Sequence, residues 1–176
     1  KSIVGTFATV FPDATLWLVG NGDILLIGSN QPLVDQVAAL PERLAARAQA
    51  AANLAGVGAK DAFALTSLLI AEGAGIEAFS RGAPLQTDDH APVEFTGPRA
   101  VFSRGGADNS AGLRALAAER PVAVAVEARR QASGAAWRDR GWMLFEASAP
   151  AAAWADFETA VRLDPRDTRA LEGLVR

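Results

Sequence analysis

The sequence predicts an α+β fold that is mainly helical and contains one β-hairpin. Two apolar runs rich in strand-forming residues, 14–20 and 23–29, are separated by Asn21-Gly22, a pair that tolerates the positive φ of a type I′ turn. Elsewhere, apolar residues recur mostly at helical spacing. Half of the 176 residues are hydrophobic, so the chain has enough apolar surface for a buried core.

The composition excludes several classes of site. The net charge of −3 leaves no basic stripe that would neutralise phosphates, so nucleic acid is not an expected partner. The chain has no cysteine, which rules out disulfides, thiolate metal sites and a cysteine nucleophile. The single His90, with no glycine-flanked serine, gives neither a zinc site nor a Ser/His/Asp arrangement. We therefore expect no nucleophilic catalytic site and no zinc or thiolate metal site in this chain.

The apolar runs also bear on location. None reaches the roughly 20 residues that a membrane-spanning helix needs, and the start does not resemble a signal peptide. We expect no membrane contact by this chain and a cytoplasmic location, either free or as the soluble part of a membrane-anchored parent. Ile3, Phe7 and Val10 show helical spacing from the first residues without a capping lead-in, which favours a piece of a longer protein.

The hairpin predicts more sheet than this chain supplies. A helix ending near Pro12 precedes it, and its second run, 23–29, carries almost no polar alternation. Such a run is typical of a strand that is covered on both faces. Because an unprotected strand edge invites pairing with another copy, we expect a homodimer through residues 14–29.

Helices are predicted after the hairpin. Proline at a helix start, glycine at a helix end and Asp61 as an N-cap set their limits. The predicted helices are 32–40, 41–56, 62–73 and 75–82, followed by an irregular stretch over 83–107.

That stretch contains TDDHAPVEF (87–95), which holds Asp88, Asp89, Glu94 and His90. Adjacent aspartates in an extended backbone point to opposite sides, so they make a poor acid and base pair. Three interpretations stay open. The segment is a turn or helix cap with a solvated His90, the three carboxylates form a rim that attracts a cationic amine, or they belong to a sparse metal site.

The last part of the chain carries a repeat pattern. Its large, small, Ala, aromatic, Ala and Pro positions are Trp137, Gly141, Ala153, Phe157, Ala160 and Pro165, which resemble the tetratricopeptide repeat (TPR) of two antiparallel helices. Gly141 and Ala153 are expected to be small where the helices touch, and Pro165 to end the second helix. Arg140 stands where the repeat usually has Leu. Leu171 and Leu174 would begin a further repeat.

We assign residues 104–176 to this helical TPR-like region, which is a candidate surface for a protein partner. Residues 109–120 and 121–134 would be a degenerate earlier helix pair. A plain helical hairpin without a binding role is the alternative, since one repeat cannot bury its own apolar face.

Two further blocks, TFATVFPDATLWLVGNGDILLIGSNQPL (6–33) and TDDHAPVEFTGPRAVF (87–102), resemble the C-terminal portion of bacterial spermidine synthase-like proteins. That family has the Rossmann-like methyltransferase fold and is often fused to membrane segments. The first block is similar to the family's final helix and closing antiparallel hairpin, and the second to a signature near the end of the domain. The resemblance implies that residues 1–103 are the truncated C-terminal end of a Rossmann-like α/β domain.

The resemblance also implies a function for the parent protein: transfer of an aminopropyl group from decarboxylated S-adenosylmethionine to a polyamine. The family's cofactor-binding glycines and catalytic base would lie upstream of Lys1. No G-x-G pattern here follows a predicted strand and opens a helix, and 103–110 is predicted to be a loop and helix cap. The resemblance thus implies that this chain is a non-catalytic C-terminal fragment of a polyamine aminopropyltransferase (spermidine synthase-like) protein, giving the closing hairpin and a helical interaction region. A TPR-type interaction or self-association module with no polyamine role is the alternative.

Overall fold

A computed structural model describes residues 1–20, 22–100 and 105–176, without the side chains of 96 and 98–110. The fold is mainly helical with a small three-stranded antiparallel sheet, so the predicted α+β class is confirmed. The elements are α1 Ser2–Val10, β1 Thr15–Val19, β2 Asp23–Ile27, α2 Val34–Ala38, α3 Leu40–Ala45, α4 Ala48–Gly56, α5 Ala62–Thr66, β3 Leu69–Glu72, α6 Gly73–Ser80, α7 Pro92–Ala100, α8 Gly105–Glu119, α9 Ala123–Gln131, α10 Gly134–Glu146, α11 Pro150–Leu163 and α12 Thr168–Leu174.

The chain folds as two compact units, each built from two stretches of sequence. Unit 1 comprises residues 1–34 and 69–122, and unit 2 comprises residues 35–68 and 123–176. The predicted boundary between residues 103 and 104 lies outside the described residues. In the described ranges, no helix combines the length and the apolar character needed to cross a membrane.

Unit 1 is organised around the sheet, whose strand order is β2-β1-β3. The predicted antiparallel hairpin is confirmed, with Trp17 opposite Leu25, while Asn21 of the predicted turn lies outside the described residues. On one face of the sheet, α1, α6 and α8 supply the core, where Leu16 is fully buried. The core side chains are Val4, Ala14, Leu16, Ile70, Ala71, Ile76, Phe79, Leu113 and Leu116.

The third strand, β3, was not predicted. Residues 62–73 fold as the short helix α5 followed by a strand, although Asp61 caps α5 as expected by accepting a hydrogen bond of 2.8 Å from the Ala64 amide. β3 forms because it pairs with β1, with Leu16 opposite Ala71. This pairing joins segments distant in the sequence, so it is invisible to a reading of local periodicity.

Three other predictions need correction. β2 is an edge strand in which Ile24, Leu25 and Ile27 are exposed, so it is not covered on both faces. The stretch 83–107 is not irregular throughout, since α7 begins at Pro92, a residue suited to the first turn of a helix. The predicted helix 41–56 is interrupted between α3 and α4.

Unit 2 is helical. α9 packs against α5, and the Arg129 guanidinium donates a hydrogen bond of 3.0 Å to the Ser67 carbonyl oxygen. α10, α11 and α12 form the largest packed group of the unit. Both segments of the predicted earlier pair are helical, as α8 and α9, but α8 belongs to unit 1 and α9 to unit 2, and α9 begins at Ala123 and not at Pro121.

Candidate functional site

The acidic stretch of unit 1 forms a tight turn on the surface. Thr87 and His90 exchange two backbone hydrogen bonds of 2.9 and 3.1 Å, and the Thr87 hydroxyl accepts a further bond of 3.0 Å from the His90 amide. Asp88 and Asp89 lie at the tip of this turn, and both are exposed, as is His90. The turn therefore presents two carboxylates to solvent from a fixed backbone.

Glu94 lies beyond the turn, in the first turn of α7, and is also exposed. Gln86 fixes the segment from the other side. Its amide donates to the Thr6 hydroxyl at 2.8 Å, and its side-chain oxygen accepts from the Val93 amide at 3.1 Å. The acidic segment is thus attached to α1. Among the described residues, no three His, Asp or Glu side chains gather as a candidate metal site.

The second candidate surface is the free edge of β2. β1 is bonded on both sides, to β2 and to β3, whereas β2 has no second neighbour among the described strands. Ile24, Leu25 and Ile27 are 41%, 50% and 38% exposed. Leu26 alone in this strand is partly buried and packs against the core. An edge of this kind exposes apolar side chains together with unpaired backbone groups.

The third candidate is the helical group of unit 2. An added Cβ at Gly141 of α10 would lie 2.6 Å from the Phe157 ring, and one at Gly173 of α12 would lie 2.5 Å from it. Phe157, Ala153 and Ala160 of α11 are almost fully buried. The Phe157 ring is thus in close contact with glycines of two helices.

The rest of the pattern is also accounted for. Trp137 packs edge-on against Phe63 of α5, with ring centroids 4.8 Å apart. Pro165 lies just beyond the end of α11 at Leu163. In α12, Leu174 packs against the cluster around Phe157, while Leu171 is 41% exposed.

Arg140, the residue that departs from the repeat pattern, has a buried partner that the sequence reading missed. Its Nη1 donates to both carboxylate oxygens of Asp156 at 2.7 Å. The guanidinium also lies 5.7 Å from the ring centroids of Phe63 and Trp137, a cation–π geometry. In the described part of the chain, the buried Nε of Arg140 has no hydrogen-bond partner.

Burial controls the protonation of this pair. Loss of solvent raises the pKa of Asp156 to about 6, even though Arg140 and Arg129 favour its charged form. Burial likewise lowers the pKa of Arg140. A buried ion pair between α10 and α11 thus replaces the apolar contact that a Leu would make, and it couples the two helices by charge.

Polar contacts also connect α10 to α12. Arg138 donates a bond of 2.8 Å to Asp167, which in turn caps α12 by accepting a bond of 3.0 Å from the Ala170 amide. Asp139 accepts from Arg138 and lies 3.4 Å from the Lys60 ammonium, and these two cations lower its pKa against the opposing effect of burial.

One absence inferred from the sequence is wrong. Gly73-Ala74-Gly75 directly follows β3 and opens α6, so a G-x-G pattern does lie between a strand and a helix. The periodicity of 62–73 predicts one continuous helix, so no predicted strand precedes these glycines. Gly73 has φ of 38°, a conformation that favours glycine, and a Cβ at Gly75 would lie 3.3 Å from the Ala71 Cβ. Because β3 pairs antiparallel with β1, this segment is not part of a parallel dinucleotide-binding unit.

Comparison of the chain with protein-family models, curated proteins and solved structures gives no match in any of the three.

Proposed function

We propose that this chain is the non-catalytic closing part of a larger spermidine synthase-like protein and adds its β1–β2 hairpin to a sheet whose further strands come from elsewhere. The observation that carries the proposal is the free edge of β2. Its side chains form an uninterrupted apolar run, which is typical of a strand covered on both faces, yet Leu25 is half exposed. A strand added at this edge would pair the free backbone groups and place its own side chains beside these on each face.

The order of α1, β1, tight connection and β2 supports the assignment to this family, because the closing helix and hairpin of the family have the same order. In the parent, an aminopropyl group from decarboxylated S-adenosylmethionine would be transferred to a polyamine by residues upstream of Lys1. The share of this chain would be the closing hairpin and a rim of carboxylates formed by Asp88, Asp89 and Glu94.

The rim is proposed on electrostatic grounds. Three exposed carboxylates within one short segment raise the local concentration of a polycation without a precise fit. The turn at 87–90 and the Gln86 bonds to α1 hold the backbone of this segment, so the carboxylates stay together. Binding of this kind is weak and sensitive to salt.

Isothermal titration of the purified chain with spermidine, putrescine and methylthioadenosine tests the rim. We expect the two amines to bind and the binding to be lost in the double variant Asp88→Asn, Asp89→Asn. A matched control, Glu77→Gln with Glu119→Gln, removes the same charge from two exposed positions of unit 1 and should retain binding. No heat with either amine, or equal loss in both double variants, would contradict the rim.

For the chain alone, we propose that a second copy covers the β2 edge. An antiparallel pairing of two β2 strands about a twofold axis at Leu25 would place Asp23 of one copy opposite Ile27 of the other. No like charges would face each other in that arrangement, and the same apolar patch would be used twice.

The alternative is a TPR-type interaction module without a polyamine role. The observation that favours it is the packing of α10, α11 and α12 around Phe157, with the exposed Trp154 and Leu171 on the outside of that group. Self-association that survives Leu25→Lys but is abolished by Trp154→Lys would favour this alternative over the hairpin.

A further inference from the structure

Unit 1 contains a cleft at the end of the β1–β3 ladder that no motif in the sequence indicated. Its volume is about 460 Å³, within the range of about 300–1,000 Å³ typical of small-molecule sites. Its walls come from four places: the turn that enters β1, the segment 32–34 that follows β2, the start of α6 with Gly73 and Gly75, and the segment that follows α8. The acidic turn at 87–90 is not part of it.

Two carboxylates line this cleft. Thr15 and Glu72 are partners across the β1–β3 ladder, and paired residues of this kind have Cα atoms about 4.5–5.5 Å apart. Asp13 precedes Thr15 by two residues and lines the same cleft. Both acidic side chains are partly buried. Burial raises the pKa of Glu72, which means that no cation offsets its loss of solvent.

The cleft also contains groups that favour an anion. Arg120, which is exposed, also lines the cleft. The first turn of α6 begins here, and its cap residue Glu72 makes no side-chain bond to the helix amides. Among the described residues, the side chains of Asp13, Glu72 and Arg120 form neither ion pairs nor hydrogen bonds. Charges of both signs therefore line one cleft without neutralising each other.

From this juxtaposition we infer that the cleft binds a small zwitterion of the α-amino-acid type, with its ammonium group toward Asp13 and Glu72 and its carboxylate toward Arg120 and the start of α6. A ligand with only one charge would leave the other set of cleft charges unpaired. The walls also contain Pro12, Leu33 and Val122, which suit an aliphatic side chain. The inference is independent of the polyamine rim, since none of the rim residues takes part.

Isothermal titration with three matched probes tests the zwitterion site. The probes are L-norleucine, hexanoate, which lacks the ammonium group, and pentylamine, which lacks the carboxylate. We expect L-norleucine to bind at least tenfold more tightly than either of the other two. Equal or weaker binding of L-norleucine, or no heat with any probe, would overturn the inference.

Two single variants test which cleft residue binds each charged group of the ligand, and two further variants are controls. Arg120→Gln is expected to weaken L-norleucine and hexanoate at least tenfold while leaving pentylamine unchanged. Glu72→Gln is expected to weaken L-norleucine and pentylamine while leaving hexanoate unchanged. Arg114→Gln on α8 and Glu77→Gln on α6, which are exposed and outside the cleft, are the controls. An unchanged affinity for L-norleucine in both cleft variants would refute the site.

The Asp88→Asn, Asp89→Asn double variant separates this inference from the proposed function. It should abolish amine binding at the rim and leave L-norleucine binding unchanged. A loss of L-norleucine binding in that variant would show that the zwitterion sits at the rim and not in the cleft.

Discussion

Replacing Asp156 by Asn is expected to remove a pH-dependent loss of stability from unit 2. Asp156 lies buried between α10 and α11, with both carboxylate oxygens 2.7 Å from the Arg140 guanidinium. Burial raises its pKa to about 6 in the folded chain, against 3.8 for a solvated Asp. Since Asn has nearly the same shape and does not titrate, the substitution removes the titration and keeps one hydrogen bond to Arg140.

The sign of the change in the free energy of unfolding with pH follows from which state binds the proton. Between pH 3.8 and about 6, the folded chain holds the Asp156 proton and the unfolded chain has released it, so the free energy of unfolding falls as the pH rises. One pKa unit corresponds to about 1.4 kcal/mol. The wild type is therefore expected to lose about 2 kcal/mol relative to Asp156→Asn between about pH 4 and about pH 7.

Urea unfolding followed by tryptophan fluorescence is the assay. Trp137, Trp142 and Trp154 all lie in unit 2, so a Trp17→Phe background makes the signal specific to that unit. Carboxylates with lowered pKa, such as Asp139, give the opposite slope, but they contribute equally to both proteins and cancel in the difference. A difference that stays constant with pH, or that grows in favour of the wild type, would refute the reasoning.

Two glycine substitutions, one in each unit, test the packing of the glycines against aromatic rings. Gly141→Ala is expected to lower the free energy of unfolding by about 1–3 kcal/mol, because the new Cβ would lie 2.6 Å from the Phe157 ring. The control Gly56→Ala, with no atom within 4 Å of the new Cβ, should raise the free energy of unfolding by about 0.5–1 kcal/mol. A higher free energy of unfolding in both variants would contradict the contact between Gly141 and Phe157. Gly28→Ala should cost about 1–3 kcal/mol in unit 1, because its Cβ would lie 2.5 Å from the Phe11 ring. The part of the fluorescence change that Trp17→Phe removes reports on unit 1, and an unchanged urea midpoint of that part would contradict the contact.

The features that the sequence predicted well depend on neighbouring residues. The β1–β2 hairpin needs two apolar runs and a turn, all within 14–29. The contact between Gly141 and Phe157 follows from a fixed spacing along two helices joined by a short connection. In each case the determinants of the contact lie close together in the chain, so the pattern carries the information.

The missed features depend on distant partners. The run 69–72 fits a buried helix as well as a strand, and only pairing with β1 selects the strand. The cleft near Glu72 was missed for the same reason, since it needs β3 to end where α6 begins. The Arg140–Asp156 pair was predictable in part, because an Arg at an apolar packing position requires a buried acid on the facing helix.

The exposure of β2 has a different cause. Its sequence predicts a covered strand, whereas in the described part of the chain no strand or helix covers its outer edge. In the proposed function, a strand from outside this chain pairs with the outer edge of β2.

Sedimentation velocity over a range of protein concentrations tests that claim most directly. We expect a concentration-dependent dimer that becomes a monomer in Leu25→Lys and is retained in Leu171→Lys, a substitution at a comparably exposed apolar residue of α12. A wild-type chain that stays monomeric at every concentration, with slowly exchanging amides along β2, would contradict it, because the edge would then be stable without a partner.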